Sequence, residues 1–75
     1  MTKKDKKIIE KAEKENIPIF VFIANDKLSV NALIRYNWEC KGANCSTEHI
    51  EGVRGRIDEF AEYQASNPDS VKLPD

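Results

Sequence analysis

The chain has no apolar run approaching the roughly 20 residues that a membrane-spanning helix requires. It also has no surplus of charge of either sign. Its 12 Lys and Arg stand against 13 Asp and Glu, a formal net charge of -1 over 75 residues. So even a balance produces no long-range field to draw the chain to nucleic acid or to an anionic membrane. No apolar segment follows the basic start Thr2-Lys3-Lys4, so no secretory leader is expected and the cytoplasm is the expected compartment. Cysteine is scarce, with 2 in the chain, and in a reducing compartment the pair is expected as thiols. Repeats, low-complexity tracts and linkers are missing, so residues 1–75 are read as a single domain. At that size one core is only marginally sufficient, and such chains add a disulfide, a metal or a second copy of themselves.

The strongest pattern is the stretch Ile17-Pro18-Ile19-Phe20-Val21-Phe22-Ile23, which turns polar at Asn25 and Asp26. It is short, rich in β-branched and aromatic residues, and bounded by Pro and Asn-Asp. This predicts a strand over residues 18–24, buried on both faces, with Pro18 at its first position. No second strand of comparable strength exists in the chain.

Around it, helices are predicted. Residues 2–16 are good helix formers behind a Thr2 cap, with a thin apolar stripe of Ile8, Ile9 and Ala12. This is expected to be a surface helix whose lysines form a solvated face. Ser29 is expected to cap a helix over residues 30–41, with Asp26 as a competing cap and Gly42 as the residue that ends it. Ser46 or Thr47 is expected to cap a third helix over residues 47–66. Ile50, Val53, Ile57, Phe60 and Ala61 give it a helical apolar stripe. Gly52 and Gly55 weaken that helix unless another group approaches closely or its length compensates. Asn67-Pro68 ends it, and residues 67–75 form an extended tail able to pack back or pair with the strand. The expected fold class is α+β, a small helix–strand–helix–helix domain. A lone apolar strand calls for covering, and pairing across a homodimer is the economical solution.

Three constellations bear on chemistry. Cys40, Cys45 and His49 lie at C-x4-C-x3-H spacing, which suits a zinc half-site but leaves a structural site one ligand short, with only Glu39 or Glu48 nearby. No metal and no cofactor is expected. The same residues offer a thiol beside an imidazole, with Cys45 near a helix N-terminus. No oxyanion-hole pattern accompanies them, so an enzyme is not expected. The acids Asp58, Glu59 and Glu62 read as a solvated helix face. Arg35 and Trp38 differ in kind. A guanidinium forks onto phosphate or carboxylate, an indole stacks or fills a pocket, and both residue types are enriched at binding hot spots. With Asp26, Lys27, Asn31 and Tyr36 they make the candidate binding site.

The block Pro18-Ile19-Phe20, followed by Ala24-Asn25-Asp26-Lys27-Leu28, an aromatic-bearing helix and the ending Lys72-Leu73-Pro74-Asp75, resembles a group of small phage- and prophage-encoded proteins. The resemblance covers residues 18–75 and transfers no catalytic residue. It implies an accessory protein of the bacterial host's cytoplasm that acts by binding. Two readings follow. One is sequestration of a small anionic, nucleotide-derived signal of host immunity. The other is inhibition of a host protein through the Trp38 face. Expected partners are a second copy of the chain and either such a ligand or a host protein, with neither nucleic acid nor membrane.

Overall fold

A computed structural model describes residues 2–74, and in it the chain is helical. Helix α1 spans Lys3–Lys14, α2 spans Ser29–Gly42 and α3 spans Thr47–Ser66, followed by a single 3₁₀ turn at Pro68–Ser70. The expected α+β class is therefore corrected to all-α: the described residues contain no strand. Residues 17–23 form no regular element and no ladder, and their side chains are not buried on two faces. Phe20 is 82% exposed, Val21 63% and Ile23 61%. The physical reason is that a strand exists only by pairing, and the backbone of Ile19–Ile23 pairs with no described segment. The single bridge falls just beyond, where Asp26 meets Lys72 in parallel register. There the Lys27 N–H donates to the Lys72 carbonyl at 2.8 Å, and the Lys72 N–H donates to the Asn25 carbonyl at 3.0 Å. The tail thus touches the chain at the end of the apolar stretch. Its last residue, Asp75, lies outside the described residues.

Helix α1 begins with a reciprocal cap. The Thr2 hydroxyl accepts from the Asp5 N–H, while the Thr2 N–H donates to the Asp5 carboxylate. Two orphan donors are satisfied in one motif. The ends of α1 and α2 share a second motif. Asn16 and Asn44 both take left-handed backbone, with φ of 56° and 60°. At each end two carbonyls of the last turn are bonded: Asn16 N–H to Glu13 and Ile17 N–H to Ala12 in α1, Asn44 N–H to Lys41 and Cys45 N–H to Cys40 in α2. This is the Schellman arrangement, with asparagine in the place glycine usually holds. Gly42, expected as the terminating residue, is instead the last residue of α2 itself.

The start of α2 also differs from expectation. Ser29 is the first helical residue rather than its cap, and it is fully buried. Asp26 organises the turn: its carboxylate accepts from the Leu28 N–H at 2.8 Å, and its carbonyl accepts from the Ser29 hydroxyl at 2.7 Å. Gln64 on α3 then ties this corner down, its side-chain amide donating to the carbonyls of Ala24 (3.0 Å) and Asp26 (3.1 Å).

Helices α2 and α3 pack against each other across the short loop 43–46. Their seam is lined by half-buried Val30, Leu33, Ile50, Val53, Ile57 and Phe60. Ala61, on the expected stripe, is exposed. Among the described residues the only buried apolar side chains are Ala12 and Cys40. Helix α1 stands apart: no Cα of it comes within 8 Å of another helix, although its Ala12 is buried and its Asp5 pairs with Arg56 on α3.

Candidate binding face on helix α2

Helical spacing places Asn31, Arg35 and Trp38 on one side of α2, and all three are exposed. The Arg35 guanidinium lies 4.6 Å from the centre of the Trp38 ring. Its Nη2 donates to Glu39 Oε2 at 3.1 Å. The guanidinium is thus held over the indole by a carboxylate one turn along, and Trp38 remains 62% exposed. Stacking of this kind is worth about 0.5–1 kcal/mol at an exposed site, and its main effect is to order both side chains. Beside Trp38 a shallow, open depression is lined by Glu39, Lys41, Gly42 and Ala43. Glu39 was outside the candidate site, although its i,i+4 spacing from Arg35 is the signal that identifies it.

The other candidate residues are elsewhere. Asp26 and Lys27 sit at the turn before α2, roughly 10 Å or more along the axis from Arg35. Asp26 is occupied as the turn's acceptor and Lys27 by its backbone bond to Lys72. Tyr36 faces the seam with α3. Its hydroxyl is 3.1 Å from His49 Nε2, and the two rings meet edge to face at 6.0 Å. The structure brings Asn31, Arg35 and Trp38 onto one face, and leaves Tyr36, Asp26 and Lys27 out of it.

The cysteines are placed by the end of α2. In the Schellman motif the residues five apart, Cys40 and Cys45, necessarily meet, so their spacing has a backbone cause. Cys40 is buried, Cys45 half-buried, and both are free thiols. A hydrogen bond to Cys40, aided by desolvation, pushes the Cys45 thiol above its ordinary pKa of 9.0. The same neighbour, with burial, raises the Tyr36 phenol above 10.0. Among the described residues no group of three or more His, Cys, Asp or Glu side chains is arranged to hold a metal ion.

Comparison with protein-family models, with curated proteins and with solved structures finds no match to this chain. Among the described residues no helix is long and apolar enough to cross a membrane.

Proposed function

We propose that the chain is a non-enzymatic binding protein that recognises another protein through the Arg35–Trp38–Glu39 face of α2. The observation that carries this reading is an exposed indole already ordered by a stacked guanidinium. Such a side chain has little rotamer freedom left to lose on binding, which lowers the cost of an interface. Trp and Arg at the centre of a contact are typical energetic anchors. The Cys45 thiol is poorly suited to act as a nucleophile. A nucleophilic thiol needs its pKa lowered, and that of Cys45 is raised. The resemblance to phage accessory proteins supports a target in the bacterial cytoplasm, consistent with an inhibitor of a host protein.

A small anionic or nucleotide-like ligand is the second reading, favoured by the cation held beside an indole face. The depression there is shallow and open, whereas sites for small ligands enclose most of the ligand surface. That openness supports the protein partner over the small ligand.

The test is a photoreactive residue at position 41, beside Trp38, with position 62 on the exposed side of α3 as control. In bacterial cells producing the chain, cross-linking at 41 is expected to yield one discrete adduct with a protein other than a second copy of the chain, and that adduct is absent at 62. Arg35→Ala is expected to abolish the adduct while leaving the melting temperature within a few degrees, because exposed positions rarely shift stability by more than about 0.5 kcal/mol. No specific adduct, together with a nucleotide-like molecule released from the purified protein, would favour the second reading.

A further inference from the structure

We propose that α1 and the segment after it, Lys3–Ile23, form an arm whose apolar side is covered by a second copy of this chain. The first ground is surface. A folded single chain of this mass exposes roughly 4,700 Å². This chain exposes 6330 Å². The surplus is on the order of 1,600 Å², ample for the roughly 800 Å² that each partner contributes to a stable interface. The radius of gyration, 13.6 Å, is likewise larger than the roughly 11 Å of a compact chain of this length.

Among the described residues, half of the exposed large apolar side chains, six of twelve, lie on the arm. Ile19, Phe20, Val21 and Ile23 are all more than half exposed. The backbone N–H groups from Ile19 to Ile23 donate to no described residue. Ile8 on α1 is 56% exposed, and no Cα of α1 comes within 8 Å of another helix.

The occupant is a second copy because the chain carries both halves of the contact. Helix α1 has six lysines against three carboxylates, and α3 has five carboxylates against two arginines. A basic arm and an acidic helix on the same molecule are complementary across a two-fold axis, where each surface meets its counterpart twice. The net charge of -1 leaves no overall repulsion between copies. The contact is made by side chains of the two arms and by α1 of one copy against α3 of the other. The Arg35–Trp38 face lies on α2 and stays free, so this inference stands independently of the proposed function.

Sedimentation equilibrium of the purified full chain is expected to give about 17 kDa, twice the 8.6 kDa chain. Phe20→Glu is expected to weaken association by at least about a hundredfold, since each copy loses one buried aromatic. Where that variant fails to fold, a second measurement decides. Wild-type chains with and without ¹⁵N are mixed and joined by a short amine-to-carboxylate cross-linker. Mixed-isotope links between α1 lysines and α3 carboxylates are expected. A wild-type mass of 8.6 kDa at tens of micromolar overturns the proposal. So does a dimer whose mixed-isotope links bypass α1, or whose affinity is untouched by Phe20→Glu.

Discussion

Asparagine ends two of the three helices in left-handed backbone, and this choice has a measurable cost. A left-handed residue with a Cβ is strained by roughly 1–2 kcal/mol, which asparagine partly offsets and glycine avoids. Asn44→Gly is therefore expected to leave stability unchanged or raise it slightly. Asn44→Ala is expected to lower it by about 1 kcal/mol, as read from denaturant midpoints. The Asp5 carboxyl is a second residue with a defined role. Desolvation acts to raise its pKa, but the Thr2 hydroxyl and N–H and the Arg56 guanidinium outweigh it and hold the group below its ordinary 3.8. A carboxyl depressed on folding stabilises above its unfolded value and loses that contribution as pH falls through the folded one. Helix α1 is accordingly expected to fray below about pH 3.8, seen as lost helicity by circular dichroism. Thr2→Ala should weaken the same cap at neutral pH.

At the scale of elements, the helices were legible because their signals are local. Thr2 and Ser46 stand before good helix formers, and Pro68 stands after α3. The capping error at Ser29 arose because Asp26, weighed as the competitor, serves the turn through both its carboxylate and its carbonyl. The strand was misread for a different reason. A continuous apolar run tells what a segment wants buried, and pairing depends on a neighbour that local pattern does not contain. Arg35 and Trp38 could be placed together from their three-residue spacing alone. Tyr36 fell off that face because a half-turn of helix turns it toward His49. Gly52 and Gly55 were expected to need a close neighbour or a long helix. A Cβ at either meets nothing within 4 Å, and α3 runs for 20 residues, so length is the operative cause. Gly52→Ala and Gly55→Ala are each expected to stabilise by about 0.5–1 kcal/mol through helix propensity. A loss of stability in thermal melts would show that something packs on that face after all.

At the scale of the molecule, one chain holds two packed helices, a loosely tethered third and an apolar segment laid open to water. Two buried apolar side chains cannot offset the conformational entropy of ordering such a chain, which runs to about 1–2 kcal/mol per residue for the backbone. On the proposed pairing of two copies, folding is coupled to association and stability depends on protein concentration. Thermal unfolding of the full chain, followed by circular dichroism over a hundredfold range of concentration, tests this most directly. The melting temperature is expected to rise by about 5–10 °C across that range, as mass action on a dimer of this size requires. A cooperative transition at the same temperature throughout would contradict it, since the single chain would then be stable with its arm uncovered.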